Sequence, residues 1–221
     1  MCQRRGVAEL RVWLIRHGES ESNVGGPSSS PGETPLTAIG HRQAVQLARA
    51  MPVPPELIVT SPYRRARQTA QPAAERFPDT PREVWPVQEF TYLGSLEGRS
   101  TTVQERRPYV QAYWNRADPE LREGGAESFT DLVGRVRTFL VRLGKNGPGP
   151  IIVFTHEVFI KCVMWVLLDQ PGTIDRRAML GFRGFHDGNT VANCTGVELR
   201  STEGERFDLL PNRVAWSPPP R

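Results

Sequence analysis

The feature that most constrains this chain is a short apolar run that stops at a polar, chemistry-bearing cluster, and it occurs three times. Arg11-Val12-Trp13-Leu14-Ile15 stops at Arg16-His17-Gly18-Glu19, and Leu57-Ile58-Val59-Thr60 runs into Ser61-Pro62-Tyr63-Arg64-Arg65. Ile151-Ile152-Val153-Phe154-Thr155 leads to His156-Glu157 and an apolar helix through Leu168. Runs this short and this apolar suit strands covered on both faces. Their alternation with helical segments predicts an α/β fold in three layers, a mostly parallel central sheet between helices. Ligands in such sheets gather beyond the carboxyl ends of the strands, where all three clusters fall.

The remaining elements fit between these runs. Gly25 to Pro35 is rich in Gly, Ser and Pro and reads as a surface loop rather than a linker, because no core is complete before it. Thr37 is placed to cap a helix with Ala44, Leu47, Ala48 and Met51 on one face, stopped by the prolines from Pro52 to Pro55. Val84 to Val87 reads as a further strand leading to Glu89. The arginine-rich segment from Thr101 to Gly125 is expected to be partly helical and to cover the site. Ser128 with Asp131 forms a capping-box pattern before a stripe of Leu132, Val133, Val136, Leu140 and Leu143. Residues 182–189, FRGFHDGN, read as irregular. Thr190 to Arg200 and Arg206 to Leu210, separated by Glu203-Gly204, read as a hairpin.

A chain of 221 residues is expected to form a single domain over 1–221, with 1–9 and 212–221 as flexible tails. At 38% hydrophobic and 24% charged residues it fits a soluble globular protein better than a disordered or fibrous one. No apolar stretch approaches the ~20 residues needed to span a bilayer, and the N-terminal residues lack the apolar core of a signal peptide. Cys2, Cys162 and Cys194 show no paired spacing, which argues for reduced thiols and a cytoplasmic location, with Cys162 and Cys194 in the core. The net charge is +4, but the arginines are dispersed and no recognition motif with interleaved aromatics occurs. Neither nucleic acid nor membrane is expected as a partner, and the oligomeric state is not readable.

Arginine and histidine gathered at strand ends suit a phosphoryl group: arginine offers a planar fork of donors and stays charged. With no acidic metal cage and no cofactor motif beside them, the expected reaction is metal-free phosphoryl transfer to an imidazole nitrogen. The quoted segments resemble the histidine phosphatase superfamily, which includes the phosphoglycerate mutases. Residues 14–23, LIRHGESESN, are similar to the family signature; 36–44, LTAIGHRQA, to its next block; 60–70, TSPYRRARQTA, to its third; and VFTHE to the block around its second histidine. The resemblance implies a phosphoglycerate mutase-like α/β/α sandwich. It implies that His17 is phosphorylated and that Arg16, Asn23, Arg65 and His156 bind the phosphoryl group, Arg65 rather than Arg64 because it precedes an alanine. The general acid aligns with Glu89 if the block EFTYLGSLEG holds one extra residue; Glu97 is the rival.

The expected activity is thus a metal-independent phosphomonoesterase acting on a small-molecule phosphate ester or other phosphorylated substrate. Its alternatives are a phosphoglycerate mutase-type transferase and a catalytically weak phospho-ligand binding module. His41 reads as a solvated helix residue, and His186 as a loop residue or a substrate contact. Arg106, Arg107 and Arg116 read as a solvated face or as further substrate contacts, and Tyr113 and Trp114 as packing or stacking groups.

Overall fold

The structure is a computed structural model that describes residues 9–28, 30–202 and 206–210. Among these residues lie six strands and six α-helices: β1 Leu10–Arg16, α1 Ala38–Ala50, β2 Leu57–Thr60, α2 Arg64–Arg76, β3 Arg82–Val84, α3 Val103–Arg116, α4 Phe129–Gly144, β4 Gly149–Thr155, α5 Glu157–Asp169, α6 Arg176–Gly188, β5 Gly196–Ser201 and β6 Asp208–Leu210. They form one sheet in the order β3-β2-β4-β1-β5-β6. The first four strands in that order run parallel, and β5 and β6 complete the sheet antiparallel. This is the mostly parallel α/β architecture the sequence predicts.

Alternation along the strands explains the layers, because successive side chains leave opposite faces. Leu10, Val12 and Leu14 of β1 join Val59, Ile151 and Val153 in a core with α4, α5 and α6, whereas Trp13 and Ile15 join Ile58, Ile152 and Phe154 against α1 and α2. The central strands are therefore apolar on both faces. The parallel register sets Arg16 beside Thr155 and Thr60 beside Phe154, so β1, β4 and β2 end nearly level. That edge carries the site.

Local capping agrees with the sequence. The Thr37 hydroxyl accepts from the Gly40 amide and starts α1, and Ala44, Leu47, Ala48 and Met51 are buried. Ser128 and Asp131 form the expected capping box of α4. α3 lies within the expected covering segment and carries a capping box of its own, Thr102 with Glu105. Cys162 and Cys194 are buried free thiols; burial raises both, Cys194 to about 12.

Three expectations need correction. β3 spans Arg82–Val84 and ends where a strand was expected to begin. Trp85 adds one more bond, its amide to the Thr60 carbonyl at 3.0 Å, and Pro86 has no amide to continue the ladder. Residues 182–189 are not irregular: all but Asn189 belong to α6, capped by the Asp175 side chain and held to the core by Met179 and Phe182. Glycines at 181, 184 and 188 hide that helix from a propensity reading. β5 starts at Gly196, not at Thr190, because Cys194 takes a left-handed φ of 52° and its amide donates to the Arg16 carbonyl. The expected hairpin turn at Glu203-Gly204 and the expected tails, apart from Glu9, lie outside the described residues. Glu9 is tied down, its carbonyl accepting from the Gly149 amide at 3.1 Å. No helix among the described residues is long and apolar enough to cross a membrane.

Candidate active site

His17 is the first residue past β1, and its amide extends the ladder by donating to the Thr155 carbonyl at 2.9 Å. The turn after it is clamped between α1 and α2. Gly18 donates its amide to the Thr69 hydroxyl at 3.0 Å, and Glu19 donates its own to the Gln43 side chain at 2.8 Å. A Cβ on Gly40 would lie 2.0 Å from the Glu19 carbonyl oxygen, so only glycine lets α1 approach this closely.

The hydrogen bonds of His17 fix its tautomer. Nδ1 lies 2.7 Å from the Gly18 carbonyl oxygen, which can only accept, so Nδ1 carries the proton. Nε2 is left with its lone pair, which accepts from Arg65 Nε at 3.0 Å. Burial, followed by the charge of Arg65, holds the imidazole well below its ordinary pKa; the Gly18 carbonyl opposes this and Arg16 adds to it. The ring is a neutral base aimed at its own cation.

His156, between β4 and α5, is fully buried, and its ring centre lies 5.1 Å from that of His17. Its Nε2 is 2.8 Å from the Ser61 hydroxyl, which already accepts from the Tyr63 amide. The hydroxyl has no other acceptor among the described residues, so it donates to Nε2 and the ring proton sits on Nδ1. Burial, then Arg65 and His17, hold this histidine neutral as well.

Arg65 is turned inward while Arg64 is exposed. Its second anchor is the Pro31 carbonyl, at 2.5 Å from one terminal nitrogen, and its guanidinium lies over the Tyr63 ring. Arg16 is fixed from behind, donating to the Val191 carbonyl at 2.6 Å and pairing with Glu157 at 2.8 Å. The other oxygen of Glu157 holds Lys161, which also donates to the His186 carbonyl. Arg16 Nε and His156 Nδ1 are both buried and without a hydrogen-bond partner. Buried donors cost free energy until they are satisfied, and these two sit on residues flanking His17.

Glu89 is delivered from a different layer. The Thr155 hydroxyl donates to the Val87 carbonyl at 2.5 Å and Arg135 donates to the Gln88 carbonyl at 2.8 Å, which presses this segment onto the end of β4. Glu89 Oε1 accepts from the amides of Phe90 and Val158, each at 3.1 Å, at the first turn of α5. Burial raises its pKa, against the opposing charge of Arg65 and the Phe90 amide. Asn23 spends its amide oxygen on Ser20 and Asn193, which leaves its NH2 available. Arg16, His17, Asn23, Arg65 and Glu89 all line one cavity of about 550 Å3.

A sequence profile of the histidine phosphatase superfamily (branch 1) matches residues 12–181. The chain belongs to the histidine phosphatase superfamily.

Among relatives in the superfamily, an adenosylcobalamin/alpha-ribazole phosphatase from Salmonella typhi is 31% identical over 95% of this chain and 100% of its own. A protein named as a probable phosphoglycerate mutase, from Serratia proteamaculans, is 33% identical over 77% of this chain and 80% of its own. The fold matches the alpha-ribazole phosphatase from Shigella flexneri with a TM-score of 0.71 and 23% identity, covering 92% and 96% of the two chains. A mycobacterial glucosyl-3-phosphoglycerate phosphatase matches with a TM-score of 0.68 and 25% identity, over 91% and 97%.

Of the other residues singled out in this histidine phosphatase chain, Glu97 also lines the cavity but is exposed. His41, Arg107 and Arg116 are exposed and outside it, and Arg106 lines it. His186 is half-buried on α6 with Nδ1 3.0 Å from Asp187. Tyr113 and Trp114 are packing groups, stacked with Phe90, Tyr92 and Phe182. Sequence reasoning missed Ser61, Thr69, Glu157 and Asn193. Ser61 and Glu157 adjoin assigned blocks and could have been found there, and Thr69 lies one helical turn after Arg65. Asn193 donates to the His17 carbonyl across 176 positions of sequence, and nothing local signals it.

Proposed function

We propose that this chain is a phosphomonoesterase in which His17 Nε2 attacks phosphorus, Arg16, Asn23, Arg65 and His156 hold the phosphoryl oxygens, and Glu89 is the general acid. The observation that supports it most is the state of His17: a neutral ring whose Nδ1–H donates to the Gly18 carbonyl and whose Nε2 lone pair accepts from Arg65. An incoming phosphoryl group trades the Arg65–Nε2 bond for contacts to its oxygens, freeing the lone pair as the cation moves to the charge. The N–P bond forms as the P–O bond to the alcohol breaks. Glu89, whose pKa burial raises, gives its proton to the departing oxygen. Glu89, now ionised, then takes a proton from the water that attacks phosphohistidine, which restores both groups and releases phosphate.

Glu89 is favoured over Glu97 as the acid because burial raises its pKa against the opposing charges of Arg65 and Arg16, whereas Glu97 is exposed. Hydrolysis is favoured over mutase chemistry by the alpha-ribazole phosphatase relative that is matched along its full length. The buried free thiols support a reducing compartment, and we assign the enzyme to the cytoplasm. Wild-type protein and His17→Ala, incubated with p-nitrophenyl phosphate in EDTA, test the reading. Phosphate release by the wild type alone is expected. Full turnover by the variant, or strict dependence on added metal, overturns it. A primed phosphoglycerate mutase assay is expected to show no net transfer.

A further inference from the structure

The cavity is lined by more than the residues proposed to bind the phosphoryl group. Its apolar lining is Phe90, Tyr92, Leu93, Leu96, Val103 and Val110, set among the neutral hydroxyls of Ser22, Ser28, Ser30, Thr34, Thr91 and Thr101. This wall is preformed. Phe90 and Tyr92 stack with ring centres 4.7 Å apart, and Tyr92 in turn lies 4.4 Å from Tyr113. The Tyr92 hydroxyl accepts from Trp114 Nε1 at 3.3 Å, so its polar tip is engaged with Trp114.

The charge among these lining residues is sparse and mixed. Apart from Arg16 and Arg65, the only cation lining the cavity among the described residues is Arg106, and Glu97 lines it too. Arg106 already spends Nε on the Thr102 carbonyl at 3.2 Å. A small acid such as a phosphoglycerate or phosphoserine would bring a second anionic group here, and desolvating it needs a dedicated positive partner. A volume of about 550 Å3 also falls in the range of sites that enclose ligands of some tens of heavy atoms.

We infer that the enzyme selects phosphomonoesters of bulky, ring-bearing, weakly charged alcohols, with the apolar wall from Phe90 to Leu96 and the α3 residues Val103 and Val110 as the specificity-determining surface. This rests on the phosphatase reading above, which supplies the phosphoryl anchor. Selectivity comes from apolar burial of the leaving group next to an end that all phosphate esters share. Polar substitutions on α3 therefore act on the ratio between substrates rather than on the chemistry at His17.

The test is equilibrium binding to folded His17→Ala by calorimetry, using 1-naphthyl phosphate, phosphoserine and 3-phosphoglycerate, with and without the added change Val110→Asn. 1-Naphthyl phosphate is expected to bind at least about tenfold tighter than either small acid, and Val110→Asn to narrow that ratio about threefold or more. Equal or tighter binding of either small acid overturns the inference, as does a ratio indifferent to Val110→Asn in a variant with unchanged thermal unfolding. Because binding is read without turnover, this failure is separable from that of the phosphatase reading, which shows as no phosphate release by the wild type.

Discussion

At the end of the cavity proposed to hold the phosphoryl group, Arg16, His17 and Arg65, with the fully buried His156 beside His17, hang from the ends of central strands or from the first turn after them, and the backbone at His17 is pinned by ladder bonds and by side chains of α1 and α2. The rest of the lining comes from Ser28, Ser30, Pro31, Gly32 and Thr34, from the segment between Phe90 and Leu96 and from α3, with Ser28 and Thr101 joined by an isolated bridge. The first region inherits its geometry from the sheet. The second depends on side chains and turns that can change without disturbing the sheet. On the proposed reading, chemistry sits at the strand ends and selectivity on the turns and the helix around them.

The largest expected effect breaks the phosphoryl end outright. His17→Ala removes the attacking nitrogen, and kcat should fall by about 10^4-fold or more, with no acid-labile phosphoenzyme after a rapid quench. A variant that still accumulates phosphoenzyme would move the nucleophile elsewhere in the cluster.

Glu89→Gln comes next, and its size should depend on the ester. For alkyl esters, whose oxygen needs a proton on departure, a loss of about 10^2 to 10^4 is expected; p-nitrophenyl phosphate should lose much less. The pH profile gives the sign. Glu89 must be protonated and burial raises its pKa, so activity is lost as pH rises through the raised value. His17 must be neutral and its pKa is lowered, so activity is lost only as pH falls well below 6.5. The alkaline limb should disappear in Glu89→Gln while the acid limb stays. The same change at Glu97 should leave both limbs in place.

Glu157→Gln probes a positioning residue. It removes the charge that braces Arg16 and leaves Lys161 buried with less compensation. About a tenfold fall in kcat/KM is expected, carried mainly by KM, with the alkaline limb moved to lower pH because the Glu157 charge helps to raise Glu89. A stability loss without a change in KM would confine Glu157 to the scaffold.

How much of this was legible follows the same division. The strand runs, the caps at Thr37 and Ser128, and the positions of His17, Arg65 and His156 were readable because local pattern and fold agree there. Glu89 was located as one of two carboxylates, since no spacing rule says which one the Thr155–Val87 and Arg135–Gln88 bonds will press toward the site. Val84 to Val87 misled because Trp85 and Val87 are buried without belonging to a strand. Ser61, Glu157 and Asn193 act by holding another functional group, and that role has no sequence period. Of the apolar lining only Val103 and Val110 fall within the anticipated covering segment, and Phe90 to Leu96 were not anticipated as a wall, because which side chains face the cavity follows no sequence period.

The smallest expected effect is also the sharpest test of the boundary between fixed chemistry and permissive surface, because it compares adjacent residues. Arg64 and Arg65 open α2 together, yet Arg65 is buried against His17 while Arg64 is exposed. Arg64 contributes its backbone amide, which donates to the Gly32 carbonyl at 2.8 Å, and any residue but proline preserves that bond. Arg64→Gln should therefore change kcat/KM by no more than about twofold, since its side chain is exposed and does not line the cavity. Arg65→Gln should lose about 10^2 to 10^3, because the donor fork and its charge leave the transferring phosphoryl group together. If Arg64→Gln proved the more damaging, the inward turn of Arg65 would not be the working arrangement and the phosphoryl end would have to be rebuilt around the other cation.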